Sequence, residues 1–154
     1  MNIVGSIKVD MAPTKTIMDR LGVTAKGDVQ QFHTANVRRR LPRYMPYRSG
    51  ATIKLMIINS PVDEPFIHVI GDHVHYIYEG KVWVDPVTRA AGFLTANGWR
   101  SRKGVAKVKT DRDLDYDKNN NPKAGPHWDR RLVAEKGRQM QADLQAYVDR
   151  RAGK

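Results

Sequence analysis

The chain has 154 residues, with 27 Lys and Arg against 16 Asp and Glu, and its formal net charge is +11. That length suits one domain with a core of its own, and 40% hydrophobic residues argue against wholesale disorder. No apolar run approaches the ~18–20 residues of a membrane-spanning helix, and the lack of cysteine excludes disulfides, thiolate metal sites and cysteine nucleophiles. The surplus of positive charge favours phosphate, anionic lipid or an acidic protein as partner. The opening residues, Met1-Asn2-Ile3-Val4-Gly5-Ser6, lack the charged-then-apolar layout of a secretion signal, so a soluble chain, intracellular at synthesis, is expected.

In chain order, residues 2–10 alternate loosely through Ile3, Ile7 and Val9 and read as a first strand. Pro13 opens a short helix with Ile17, Met18 and Leu21, which Gly22 ends. Val29, Phe32, Val37 and Leu41 predict a helix over 28–41 capped by Asp28, and Pro42 and Pro46 stop it. Arg48-Ser49-Gly50 reads as a turn. Residues 51–59 are the best strand by pattern, with Ile53, Leu55 and Ile57 facing one way. Phe66 to Ile70 is a second short strand, and His73 to Lys81 reads as strand or short helix, with Tyr76-Ile77-Tyr78 favouring strand.

The stretch from 82 to 126 is polar and punctuated by glycine, so an extended arm is expected there. Within it, Val82-Trp83-Val84 and Val105 to Val108 are candidates to pair as a hairpin. Trp128, Leu132, Met140, Leu144 and Tyr147 then mark a long helix over 129–151. These elements predict a single α+β domain over 1–154. A small antiparallel sheet packs with a helix from the N-terminal half and the long C-terminal helix, and the arm extends from them.

Two basic stretches stand out. Arg38, Arg39 and Arg40 are followed by Arg43 and Arg48, and Arg100, Arg102, Lys103, Lys107 and Lys109 form a second group without an acid among them. Three consecutive arginines on a helix splay over about 200°, so they make no single stripe. They suit either a solvated helix end, where the dipole favours cations, or contact with nucleic acid or an acidic neighbour. Among the aromatics, Trp128 fits core packing, while Tyr47, Trp83 and Trp99 are candidates for contact with another subunit.

Three acid or histidine patterns invite a chemical reading. Asp72-His73-Val74-His75 lacks a matching second half for a metal site. Asp111, Asp113, Asp115 and Asp117 resemble a calcium loop, but Lys118 and Ala124 stand where glycine and glutamate belong. Asp72 with Glu79 and Lys81 matches a Mg²⁺-dependent nuclease arrangement, which makes nuclease activity the alternative of another class. The residues themselves point to no cofactor.

Three segments together carry a family resemblance. They are Tyr44-Met45-Pro46-Tyr47-Arg48-Ser49-Gly50-Ala51, the run His73 to Pro86 containing Tyr78-Glu79-Gly80-Lys81-Val82-Trp83, and Lys109 to Asp129 ending Asn121-Pro122-Lys123-Ala124-Gly125-Pro126-His127-Trp128-Asp129. Over about residues 28–150 the chain resembles the minor capsid proteins of long-tailed bacteriophages and prophages, within the neck, head–tail connector and tail-completion group. The stretch Arg89 to Gly98 is longer and more apolar than that pattern. The resemblance implies a structural virion protein, not an enzyme. It would be a ring oligomer, a hexamer or dodecamer, joining the DNA-filled head to the tail around the DNA channel. Its partners would be copies of itself, neighbouring connector, tail terminator or tail tube proteins, and DNA contacted without sequence preference. The location implied is the virion's head–tail junction, after assembly in the bacterial host cytoplasm, with no membrane involved. A tail terminator ring capping the tail tube is the alternative within the same group.

Overall fold

Two antiparallel helices set the frame. In the computed structural model, which describes residues 14–153, α2 (Asp28–Arg40) lies along α5 (Trp128–Ala152). Their contacts run in register from one end to the other. Asp28 pairs with Arg151, Phe32 stacks on Tyr147 with ring centroids 4.3 Å apart, and Arg40 reaches Asp143 at 2.7 Å. Both helices fall where the apolar spacing predicts them. Asp28, however, is not the cap: Gly27 holds that position, and Asp28 sits in the first turn, where the helix dipole favours its charge. The short α1 (Thr14–Leu21) ends at Gly22, whose φ of +68° is left-handed. The strand expected over 2–10 lies outside the described residues.

The largest departure is at residues 51–59, which form a helix, α3 (Ala51–Asn59), and not a strand. A continuous apolar run does not by itself separate the two periods. Here the helical spacing puts Ile53 and Met56 on one face against the core, and Met56 is wholly buried. Phe66 to Ile70 keeps a strand's alternation, with Ile67 and Val69 turned to the core and Phe66, His68 and Ile70 turned away from it, yet it joins no sheet. Strand propensity also loses at 74–79, which is α4 (Val74–Glu79). Val74, Ile77 and Tyr78 stand three and four apart, and all pack on the core. Gly80 closes α4 with φ +73°; a Cβ there would lie 2.5 Å from that of Pro126.

Two antiparallel pairs of strands follow. β1 (Lys81–Val84) pairs with β4 (Val108–Asp113), Trp83 opposite Lys109 and Val84 opposite Val108, with an irregularity between Lys81 and Trp83. The expected pairing therefore forms, but its second strand starts at Val108. Between them, β2 (Phe93–Thr95) and β3 (Gly98–Arg100) make a separate hairpin with Leu94 opposite Trp99.

The arm expected over 82–126 divides in two. Residues 114–127 return to the body: the Leu114 N–H donates to the Gly80 carbonyl at 2.8 Å, and the His127 N–H to that of Tyr78 at 3.0 Å. The Asn121 amide donates to the carbonyls of Pro42 and Met45 at 2.9 and 2.6 Å. The Tyr116 hydroxyl donates to the Ile77 carbonyl at 2.5 Å, and burial pushes that phenol up to about 12. What projects is narrower, residues 86–107. The core gathers Leu41, Tyr44, Met45, Met56, Trp128, Leu132 and Met140. The architecture is α+β, as predicted, with the long C-terminal helix and a small antiparallel set of strands.

Candidate assembly and DNA-contact surfaces

The first basic group is arranged by two polar side chains of the helix pair. Asn36 accepts from Arg39 at 3.1 Å and from Arg40 at 2.8 Å, and its own amide donates to Asp143 at 3.1 Å. That amide bond, with the Arg40 guanidinium, holds the Asp143 carboxyl below its ordinary value. Arg39, Arg40 and Arg43 together line a shallow hollow of about 120 Å³. Arg38 points elsewhere and donates to the Ser60 carbonyl at 2.7 Å. Arg48 and Tyr47 line a different hollow, with Asp115, Tyr116 and Asp117 among its other walls. Arg40 is bonded to Asn36, Gln139 and Asp143, so the exposed Arg39 and Arg43 are the guanidiniums of this hollow that suit a phosphate oxygen.

The second basic group is mostly structural. Arg102 grips Asp85 with two bonds, at 2.6 and 2.8 Å, and the backbone N–H groups of Val87 and Thr88 donate to the same carboxylate at 2.8 and 3.0 Å. The Arg102 bond and these amides hold the Asp85 carboxyl well below the usual carboxylate range. Lys107 donates to the Ala91 carbonyl at 2.6 Å and lies over the Tyr76 ring. Lys109 pairs with Glu79 at 2.9 Å, which lowers the Glu79 carboxyl. Arg102, Lys107 and Lys109 are therefore staples at the root of the projecting segment. Arg100 and Lys103 stay exposed.

The aromatic candidates separate in the same way. Trp83 is half-buried and packs edge-on against His75 and Tyr76, so it belongs to the subunit's own packing and not to an exposed arm. Tyr47 is exposed. Trp99 is 60% exposed and Leu94, opposite it, 78%. The nuclease set is not assembled: Asp72 lies in the turn before α4 and Glu79 is the helix's last residue, Glu79 is held by Lys109, and Lys81 by Asp113. Among the described residues, no three His, Cys, Asp or Glu side chains stand close enough to share a metal ion. Nor is any described helix long and apolar enough to cross a membrane.

An apolar groove was not expected. A groove of about 730 Å³ opens between α2, α5 and the extended 67–74 segment, lined by Val37, Ile67, Val69, Leu132, Val133 and Leu144 among others. Its lining is mostly apolar; the polar side chains in it include His33, Gln141 and Asp129, whose carboxylate accepts from the Tyr78 hydroxyl at 2.8 Å. Val133 on its wall is 62% exposed. A further apolar surface lies on α3, where Leu55, Ile57 and Ile58 face outward. For the projecting segment, two signals were present in the sequence. Asn97-Gly98 between apolar residues marks a tight hairpin, and Asp85-Pro86-Val87-Thr88 has the spacing by which Asp accepts from backbone amides two and three residues on.

Compared with protein-family models, curated proteins and solved structures, the chain has no match in any of the three.

Proposed function

We propose that this protein is a structural subunit of a bacteriophage neck, a ring component that joins the DNA-filled head to the tail, akin to the minor capsid proteins it resembles. The observation that carries the reading is the apolar surface the single subunit leaves uncovered. The groove wall, the outer face of α3 and the β2–β3 hairpin expose Val133, Leu55, Ile57, Ile58, Leu94 and Trp99. Apolar side chains exposed together on a helix face and on a hairpin suit subunit contacts, because a free monomer would pay for them in solubility. The three segments behind the resemblance also converge in space. The second and third meet at β1–β4 and at Gly80 with Pro126, and the first is tied to the third through Asn121 and through Gly125, whose N–H donates to Tyr44. The hollow of Arg39, Arg40 and Arg43 supplies the contact with DNA phosphate that a channel wall needs, without reading bases.

In this reading the partners are copies of the same chain in a hexamer or dodecamer, the adjoining connector and tail proteins, and the DNA in transit. Electron cryomicroscopy of assembled particles tests it. A closed ring of this chain between head and tail is the expected result. A ring at the end of the tail tube would make the protein a tail terminator instead, and absence from particles would overturn the reading.

A further inference from the structure

The projecting segment carries cations and no acids. From Pro86 to Lys107 the chain has five lysines and arginines and neither aspartate nor glutamate. Arg102 and Lys107 are bonded at the root, to Asp85 and to the Ala91 carbonyl, so the hairpin is held before any partner arrives, which lowers the ordering cost of binding. Arg100 is exposed, and among the described residues its guanidinium has neither an ion pair nor a hydrogen bond. Its strand pairing decides where it points. Arg100 stands directly opposite Phe93, so both side chains lie on one face of the two strands, the face away from Leu94 and Trp99. Phe93 is 48% exposed. That face offers an aromatic ring beside a free guanidinium.

A hollow of matching character lies at the other end of the β1–β4 pair. This pair runs from Lys81 opposite Asp113 to Val84 opposite Val108. The hairpin springs from the second end, and residues 114–117 continue from the first. There Tyr47, Leu114 and Tyr116 line a hollow of about 390 Å³, with Asp115, Asp117 and Arg48 among its other walls. Its rings are fixed in place: Tyr47 lies against Gly50, where a Cβ would stand 3.0 Å from Cε2, and the Tyr116 hydroxyl is bonded to the Ile77 carbonyl. Its two carboxylates are open. Among the described residues neither forms an ion pair, with Arg48 or any other cation, and only Asp117 accepts a hydrogen bond, from the Asn119 N–H at 2.9 Å. Asp115 is therefore the freer acid, and two carboxylates outweigh the single guanidinium of the wall.

From this match we propose that the Phe93–Arg100 face of one copy docks in the Tyr47–Tyr116 hollow of the next, with the phenyl ring against the tyrosines and the guanidinium on Asp115. The proposal deepens the ring reading and rests on it. A guanidinium on a carboxylate fixes geometry as well as attraction. The two surfaces differ and stand at opposite ends of one sheet, so the contact is head to tail. Repeated, such a contact closes a ring when the rotation per subunit permits.

The absence of cysteine makes the test direct. Full-length Ser101→Cys and Asn119→Cys chains, which keep Arg100 and Asp115, are mixed and treated with a short bis-maleimide. The mixed covalent dimer, told apart by mass, should exceed a control of Ser101→Cys with Ile58→Cys by about tenfold, since docking raises the effective concentration of the two thiols. Adding Arg100→Glu to the first chain, or Asp115→Arg to the second, should cut the yield to near the control. Mixing the two reversed chains should restore most of it, and Arg100→Lys should leave it near the parent's. A parent yield equal to the control overturns the proposal. So does the lack of any recovery when both charges are reversed, or a link formed within one chain bearing both cysteines. The ring reading is judged separately in particles: a ring there with cross-linking at the control level removes this contact alone.

Discussion

Replacing Trp128 by Ala is the sharpest test of how the body is held together. Trp128 is 3% exposed at the first turn of α5 and shares the core cluster with Leu41, Tyr44, Met56 and Leu132. Its ring also meets Tyr78 edge-on, centroids 4.9 Å apart. Truncating a buried tryptophan to Ala costs about 3–5 kcal/mol, through lost transfer energy and the cavity left behind. For a chain of this length each kcal/mol lowers Tm by about 2–4 °C, so a fall of about 6–20 °C is expected. Calorimetry or a circular-dichroism melt reads that directly. Fluorescence supplies an independent check, since Trp99 is exposed and Trp83 half-buried. Trp128→Ala should remove the emission best shielded from acrylamide, and Trp128→Phe should recover most of the lost stability. A Tm change under about 2 °C, less than a single kcal/mol would give, would refute the placement of this side chain at the centre of the core.

Gly80→Ala should destabilise by about 2–5 kcal/mol, from left-handed strain and collision with Pro126, whereas Gly98→Ala, with open space around it, should lose only the strain of about 1–2 kcal/mol. Equal losses in urea unfolding would contradict the close approach at Gly80. Acid should weaken the fold through Glu79, Asp85, Glu135 and Asp143, all held below their ordinary values by bonds from Lys109, Arg102, Lys123 and Asn36 respectively. Because these folded-state values are depressed, the stability they add is present above the unfolded carboxylate range, about 4, and is lost as pH falls below it. Melts should therefore be flat from about pH 7 to 5 and drop below about pH 4, with a shallower drop in Asp85→Asn. An unchanged acid slope in that variant would deny the Asp85 staple its role. For DNA, Arg39→Glu with Arg43→Glu should weaken duplex binding alike for all sequences and reduce the salt slope by about 0.9 for each phosphate no longer neutralised. An unaltered slope would take the arginine hollow out of the channel.

Much of the frame was legible because long helices announce themselves by period. α2 and α5 fell within a residue or two of their predicted bounds, and Trp128 was placed in the core from spacing alone. β1 was legible from Val82-Trp83-Val84, where β-branched and aromatic residues cluster, but of its expected partner, Val105 to Val108, only Val108 pairs, because the charged run Val108–Asp113 carries no strand signal of its own. The run 51–59 was not. Thr52 and Lys54 give it a strand's alternation with Ile53 and Leu55, and the outward Leu55, Ile57 and Ile58 hide the helical period, so only Ile53 and Met56 meeting the core decided for a helix. Tyr76-Ile77-Tyr78 failed for the converse reason: strand propensity was clear, but tertiary packing at helical spacing outweighed it. At the candidate surfaces, sequence identified basic residues by type and could not say which were free. Arg102, Lys107 and Lys109 proved to be tied to Asp85, Ala91 and Glu79, partners 16 to 30 positions away that no local pattern reveals.

That division of the basic residues bears on how such a subunit would work. A ring that passes DNA would need cations at the lumen and a rigid contact between neighbours, and arginine and lysine suit both tasks. Where a cation meets a carboxylate inside the chain, as Arg102 meets Asp85, it fixes the direction of the hairpin and is no longer open to outside partners. Arg40 is spent in the same way on Asn36, Gln139 and Asp143, while Arg39 and Arg43 beside it stay exposed and open to an anion. Net charge alone would treat the two groups as equivalent. Their hydrogen bonds tie Arg102, Lys107 and Lys109 into the subunit and leave Arg39 and Arg43 exposed beside Arg40.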